Sequence, residues 1–165
     1  MFGLTMAGRR VALGIAAAMG LSAMSAGVAQ AAQGPWRVFD KGDEQSILVD
    51  RSGISHSGNG GQLTSAVTFS SVQHIEGVEG FYFIVAVEEI DCVGVRLRDT
   101  HLKAFDKSGT QIWDGGETPD VAWDVQPKGS VGAAKVKLVC EGDWDGATVD
   151  YGSLTQARAA LYPGT

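Results

Sequence analysis

The sequence predicts an α+β fold in which an antiparallel β-sheet of about six strands is packed by a C-terminal helix and tied by one disulfide. Three observations lead to this prediction. Strand-like alternation of apolar residues dominates the chain up to about residue 113, and helical spacing replaces it after Pro127. The chain also has just two cysteines, Cys92 and Cys140, both downstream of an export signal.

The export signal is predicted in residues 1–31. Arg9 and Arg10 precede the apolar stretch 11–26, and residues 29–31 have the small-x-small pattern of a signal peptidase site. The arginine pair also leaves the twin-arginine route open beside the general secretory route. The apolar stretch is shorter than the roughly 20 residues of a membrane span, and no cysteine lies near the cleavage site. We therefore expect a periplasmic or secreted protein that is not lipidated and has no membrane span after cleavage.

The predicted mature chain is strongly acidic. Without the two signal arginines it has 11 basic and 19 acidic residues, a formal net charge of −8. No run of lysine and arginine interrupts this charge, so nucleic acid and anionic membrane surfaces are poor partners. Its length of about 134 residues is typical of one domain. We assign that domain to residues 32–140 and treat 141–165 as a tail.

The first strands are predicted at 36–40 and Gln45–Asp50, joined by a polar turn. An Asn-Gly pair within 57–61 then predicts a tight hairpin, because these residues tolerate positive φ angles. The apolar run 63–69 would form the returning strand. These segments are the strands predicted before the strongest strand of the sheet.

That strongest strand is predicted at 81–90, where both faces are apolar until Glu88 and Glu89, so it belongs in the sheet interior. In the following strand the apolar parity changes between Leu97 and Leu102, which predicts a bulge or break at 99–101. The double apolar face of the strongest strand also leaves one face available for a partner.

A turn at 106–109 and a short strand at 110–113 complete the predicted sheet, and a loop follows at 114–120. Ser130 can cap a helix in which Val131, Ala134 and Leu138 recur at helical spacing. Lys135 and Lys137 are expected elsewhere on the surface of this helix.

Cys92 ends the strongest strand and Cys140 ends the predicted helix. In an exported chain with two cysteines a disulfide is the expected state, with reduced thiols as the alternative. The bond would close a loop of about 49 residues and stabilise the fold by roughly 4 kcal/mol in the chain-entropy model.

The chain has an ordered set of short motifs from Trp36 to Cys140. They are Trp36, Leu48-Val49-Asp50-Arg51-Ser52-Gly53-Ile54, Glu89-Ile90-Asp91-Cys92, Arg96, Phe105-Asp106, Gly109, Trp123 to Ser130, and Val139-Cys140. This ordered set resembles the surface-adhesin protein E-like family of Gram-negative bacteria. The resemblance implies an antiparallel sheet, a closing helix and one disulfide. It also implies an adhesin-like role, since the type member is an outer-membrane lipoprotein that binds host matrix and plasma proteins.

The tail, residues 141–165, is predicted to hold an acidic loop and a short helix. Ser153 and Gln156 fit a capping box, and Leu154, Ala157 and Leu161 form an apolar stripe that we expect to pack on the domain. Docking of this stripe onto a partner is the alternative.

The sequence contains no recognisable catalytic constellation. The nucleophile elbow, zinc-protease and phosphate-loop motifs are absent, and His56, His74 and His101 lack ligand spacing. We therefore expect a non-enzymatic protein without a cofactor. Asp143 and Asp145 are weak candidates for a metal site, because two carboxylates one residue apart supply only part of a calcium shell.

Aromatic residues are the remaining candidates for protein contacts. Trp113 and Trp144 lie in or beside loops and Tyr82 lies on the strongest strand, whereas Trp123 is expected to pack under the helix. The sequence thus predicts an adhesin-like envelope protein that binds a protein partner, either a second copy or a host matrix protein, through a sheet face or edge. The alternative is a periplasmic protein that binds a small ligand or divalent metal.

Overall fold

The computed structural model describes residues 33–118, 120–144 and 149–165, so the predicted signal peptide lies outside the described residues. Nine antiparallel strands and two α-helices are present in the described part of the chain. The strands are β1 (Gln33–Lys41), β2 (Gln45–Asp50), β3 (Ser55–Ser57), β4 (Gly60–Ile75), β5 (Val78–Asp91), β6 (Arg96–Phe105), β7 (Gln111–Glu117), β8 (Asp124–Val125) and β9 (Asp150–Ser153). The helices are α1 (Val131–Glu141) and α2 (Leu154–Leu161).

The strands form one sheet in the order β7-β6-β5-β4-β2-β1-β9, with β3 paired to β4 and β8 paired to β6. The α+β class, the antiparallel sheet and the disulfide are confirmed, but the predicted count of about six strands is too low. β8 has two residues and β9 has four, too few to display a period of two in the sequence.

The register of β6 confirms the predicted bulge. Val87 pairs with His101 whereas Glu88 pairs with Asp99, so Thr100 is the extra residue. The bulge restores the apolar parity, because Leu102 then faces the same side as Leu97.

Strand β7 is longer than predicted, and the predicted loop at 114–120 is wrong for its first four residues. Asp114 pairs with Lys103 in the ladder, and Glu117 pairs with His101. The segment resembles a loop because it contains Gly115 and an adjoining glycine at φ 71°. Gly115 lies under the ring of Trp113, where an added Cβ would stand 2.4 Å from a ring carbon. This close approach requires the glycine.

One side of the sheet packs against α1. The buried apolar residues of this layer are Val49, Leu63, Ile90, Val136, Leu138 and Val139. Ser130 caps the helix by accepting a hydrogen bond from the backbone of Ala133, as predicted, and Gly142 ends the helix in the left-handed conformation.

Lys135 does not lie on the solvent side of α1. Its Nζ is 2.5 Å from the carboxylate of Glu88 and 3.0 Å from the hydroxyl of Ser65, and all three residues are buried. The prediction failed because helical spacing alone cannot show that β5 offers a buried carboxylate opposite this position.

The other side of the sheet packs against α2. This second layer comprises Trp36, Val38, Leu48, Ala66, Phe83, Val85, Phe105, Leu154 and Ala157. Ser153 caps α2 by accepting from the backbone of Gln156, whose side chain accepts in turn from the backbone of Gly152. Residues 81–85 of β5 are therefore covered on both sides, so the expectation that one face is open to a partner is wrong for that part of the strand, whereas Val87 is only partly buried.

The tail makes polar contacts as well. The guanidinium of Arg158 donates to the backbone carbonyls of Phe69 and Ser70, and the hydroxyl of Tyr162 lies 2.8 Å from that of Ser46. Asp150 in β9 accepts hydrogen bonds from Arg37. These bonds attach β9 and α2 to the sheet.

The disulfide between Cys92 and Cys140 is present, with a Cα–Cα distance of 5.8 Å. It joins the turn after β5 to the last turn of α1. Among the described residues, no helix is long and apolar enough to cross a membrane.

Candidate functional site

In the described ranges of the chain, helix α2 covers only part of its side of the sheet. Beyond it, the ends of β3 to β6 and the segment before β8 present a polar surface, which we call the open face. Its residues are Ser55, Ser57, Gln62, Thr64, Val87, Glu89, Asp91, Arg96, Arg98, His101 and Trp123.

The ladder register fixes which side these residues occupy. Ile90 and Leu97 pair with each other and pack toward α1, so their neighbours on each strand face the opposite side. Glu89 pairs with Arg98 in the register, and the Asp91–Arg96 pair follows. The alternation of β5 and β6 thus places two acid–base pairs side by side on the open face.

Both pairs form salt bridges. Nε of Arg98 donates to Glu89 at 2.8 Å, and Nε of Arg96 donates to Asp91 at 2.7 Å. The hydrogen bond from Arg96 holds the pKa of Asp91 below its usual value, helped by backbone N–H groups of the following turn. Charge-assisted bonds of this kind fix the direction of both guanidinium groups.

Trp123 lies over these two arginines. The centre of its ring is 4.7 Å from the guanidinium carbon of Arg98 and 5.1 Å from that of Arg96. Cation–π contacts therefore hold the ring on the open face rather than under α1, where it was expected. The aromatic side chain is half-buried and borders a depression.

A second charged group lies at the β7 side of the open face. Nε2 of His101 is 2.5 Å from a carboxylate oxygen of Asp114, and Lys103 lies 3.6 Å from the other oxygen. The hydrogen bond with His101 lowers the pKa of Asp114 to about 2, and the backbone N–H of Gly116 contributes. Asp114 therefore stays ionised at any physiological pH.

Two adjoining depressions indent the open face. One, of about 350 Å³, is lined by Gln62, Val87, Glu89, Arg98, Thr100, His101 and Glu117. The other, of about 390 Å³, is lined by Ser55, Ser57, Gly60, Gly61, Gln62, Glu89, Ile90 and Trp123. Gln62 and Glu89 border both, so the two depressions adjoin, and we call the second of them, beside Trp123, the hollow.

The three aromatic residues predicted to make contacts lie apart from one another. Trp144 packs edge-on against Phe39, with the guanidinium of Arg37 at 4.9 Å from its ring. Trp113 packs beside a small cluster at the β7 edge, and Tyr82 lies 4.5 Å from the guanidinium of Arg158. Each is half-buried within the domain, and none lies on the open face.

Two described carboxylates of the acidic tail are paired with basic side chains and do not form a cation site. Asp143 pairs with Lys137, Asp150 is held by Arg37 and Arg51, and Asp145 lies outside the described residues. Within the described ranges no three histidine, cysteine or acidic side chains come together as metal ligands. His56 and His74 are exposed and far along the chain from His101.

The sequence contains a signal for the open face that the aromatic search misses. Glu89 and Asp91 alternate at the end of β5, and Arg96 and Arg98 alternate at the start of β6 after a short turn. Two such pairs must meet across a hairpin. Trp123 could not be added without knowing that β8 pairs with the first residues of β6.

A comparison with protein families gives one match, to a family described as surface-adhesin protein E, over residues 36–141. The matched range contains the whole open face and both cysteines, and it ends before β9 and α2. Searches of curated proteins and of solved structures each found no match.

Proposed function

The chain belongs to the surface-adhesin protein E family, and from that premise we propose that it is an exported, non-enzymatic binding protein whose open face docks onto another protein. The observation that carries the proposal is the incomplete cover of the sheet. Among the residues that the structure describes, α1 packs on one side of the sheet and α2 on part of the other side, and the uncovered part presents ordered polar side chains.

The residue types on the open face support a docking role. Tryptophan and arginine are the side chains that most often dominate the energy of protein interfaces. Here Trp123 and two arginines are held in fixed positions by salt bridges and ring contacts. A surface whose side chains are already ordered loses less conformational entropy when a partner binds.

We propose to test whether the open face binds a host matrix protein. The mature chain, residues 32–165 with its disulfide intact, would be passed over an immobilised basement-membrane extract. Trp123→Ala and the double variant Arg96→Ala/Arg98→Ala should each weaken capture at least tenfold, as expected when an interface anchor is removed. Lys128→Ala is the matched control, because this exposed lysine lies beside α1 on the other side of the sheet.

Three results would contradict the proposal: no capture of the wild-type chain, equal capture of all variants, or loss of capture with Lys128→Ala alone. Analytical sedimentation of the wild-type chain shows whether it forms a homodimer. If a second copy occupies the open face, Trp123→Ala converts a dimer to a monomer, and matrix capture by the open face is then refuted.

No described contact favours the alternative of a divalent metal protein, since the carboxylates of Asp143 and Asp150 are paired with basic side chains. A thermal shift with calcium and then with chelator separates the two functions. We expect the melting temperature to stay unchanged.

A further inference from the structure

The hollow between β3 and Trp123 differs in chemistry from the interior of a protein interface. Interface cores are apolar and poor in charged groups. Besides two glycines and Ile90, whose side chain packs toward α1, the lining residues contribute two hydroxyls, one amide, one carboxylate and one aromatic ring. They are Ser55, Ser57, Gln62, Glu89 and Trp123. The neighbouring depression adds further polar groups and one valine.

Several of these groups are available to a ligand. In the part of the chain that the structure describes, the side chains of Ser55, Ser57 and Gln62 make no hydrogen bond to other protein atoms, and all three are exposed. Two hydroxyls and a primary amide can both donate and accept. A ligand rich in hydroxyl groups satisfies such a set, whereas an apolar side chain would leave it unpaired.

Trp123 supplies the complementary apolar contact. The two arginines that lie 4.7 and 5.1 Å from its ring fix the orientation of the indole without filling the hollow that the ring borders. A pyranose ring has one face of C–H groups and a rim of hydroxyls. It can therefore place its C–H face on the indole and its rim on the polar groups.

The charges around the hollow select among saccharides. Glu89 within it is paired with Arg98, so the excess negative charge comes from Glu117, which borders the adjoining depression, and from the strongly acidic mature chain. Sulfated or sialylated sugars would meet this negative potential, and Arg96 and Arg98 are already paired with Asp91 and Glu89. A neutral saccharide meets no such opposition.

We infer that the hollow bordered by Ser57, Gln62 and Trp123 binds a neutral saccharide, so that the partner protein is recognised through a glycan that it carries. This inference rests on the proposed docking role of the open face and names the chemical group that the face meets.

The first experiment applies the mature chain to an array of neutral, sialylated and sulfated oligosaccharides. Neutral members should be bound, and Gln62→Ala and Ser55→Ala/Ser57→Ala should lower the signal at least fivefold. Gln45→Ala is the matched control, since Gln45 is an exposed glutamine at the start of β2. Absence of binding, binding of charged sugars alone, or an equal loss in Gln45→Ala would overturn the inference.

The second experiment separates the inference from the proposed function. The immobilised basement-membrane extract is treated with a peptide N-glycosidase together with O-glycosidases before capture of the wild-type chain. Loss of capture supports both proposals. Capture that survives deglycosylation but fails with Arg96→Ala/Arg98→Ala supports protein docking and overturns the saccharide. Capture that fails in every condition refutes the docking role. The array result alone then shows whether the hollow binds a neutral saccharide.

Discussion

The carboxylate of Glu88 lies 2.5 Å from the ammonium group of Lys135, and both side chains are buried between α1 and the sheet, with 4% and 8% of their surface exposed. The second carboxylate oxygen of Glu88 is buried without a hydrogen-bond partner among the described residues. Burial raises the pKa of Glu88, and the charge of Lys135 opposes that effect. The fold thus contains an ion pair in which the cation and the anion depend on each other.

We expect Lys135→Met to destabilise the protein by about 3–5 kcal/mol, because it leaves a buried carboxylate without its cation. Urea unfolding at pH 7 measures the loss. Lys137→Met is the matched control on the same helix, since Lys137 forms a more exposed pair with Asp143 that is worth about 1 kcal/mol or less. The double variant Glu88→Met/Lys135→Met should recover most of the stability. Equal losses in the two lysine variants would contradict the prediction.

Asp99 provides a test of pH dependence. Burial raises the pKa of its carboxyl, partly opposed by the charge of Lys135, and the neighbouring Asp124 raises it further. Glu88 pairs with Asp99 in the β-ladder. The carboxylates of Glu88 and Asp99 therefore share the ammonium group of Lys135, and Asp124 adds a third carboxylate beside Asp99. A carboxyl with a raised pKa holds its proton more tightly in the folded state. Its contribution to stability is therefore full below its ordinary pKa of 3.8 and is lost as the pH rises through the folded value.

Asp99→Asn should therefore be more stable than the wild type at pH 7, and the difference should shrink toward zero as the pH falls below 3.8. Urea midpoints at pH 7 and at pH 3.5 give the comparison. Asp120→Asn, an exposed position with no described partner, controls for the change in net charge. If Asp99→Asn is less stable at pH 7, attraction to Lys135 outweighs the cost of burial.

The disulfide between Cys92 and Cys140 should contribute strongly to the stability of the fold. Cys92→Ser/Cys140→Ser should lower the free energy of unfolding by roughly 4 kcal/mol, because the unfolded chain regains the freedom of a loop that spans 48 positions. Reduction of the wild type should have the same effect. Hydrogen exchange should accelerate first in α1, whose last turn the bond holds. A loss below about 1 kcal/mol would show that packing alone retains the helix.

Features that depend only on neighbouring residues were predicted correctly on the side of the sheet that packs against α1. Parity within β6 predicts a bulge or break at 99–101, which the register places at Thr100, and Ser130 predicts the start of α1, since both effects depend on neighbouring residues. Lys135 could not be placed in this way. Its partner lies 47 positions away, on a strand whose pairing with the helix is a property of the tertiary fold.

The open face could not be predicted from the sequence for a related reason. Alternation along β5 and β6 places Glu89 and Arg98 on the same side of the sheet, but it does not show whether a helix covers them. That depends on how far α2 extends, and α2 follows a tail strand of four residues, too short to be predicted. Trp123 reaches the face through the two-residue strand β8, which leaves no periodicity to detect.

Arg158 should be the residue that attaches the tail to the sheet. Its guanidinium is 2.8 Å from the carbonyl oxygen of Phe69 and 2.6 Å from that of Ser70, in a segment where β4 bulges away from β5. It also contacts Thr165 and the ring of Tyr82. Arg158→Met keeps the length of the side chain but removes every donor, so two carbonyls lose their charged partner.

We expect Arg158→Met to cost about 3 kcal/mol, the order of the loss when hydrogen bonds to a charged group are removed. Arg51→Met is the control, because Arg51 is an exposed arginine that pairs with Asp150, and its loss should destabilise the protein much less than the loss of Arg158. Amide exchange in α2 should rise in the first variant and stay unchanged in the second, while exchange in α1 should be unaffected by both. Equal effects of the two substitutions would mean that the apolar contacts of Leu154 and Ala157 hold the tail without the help of Arg158.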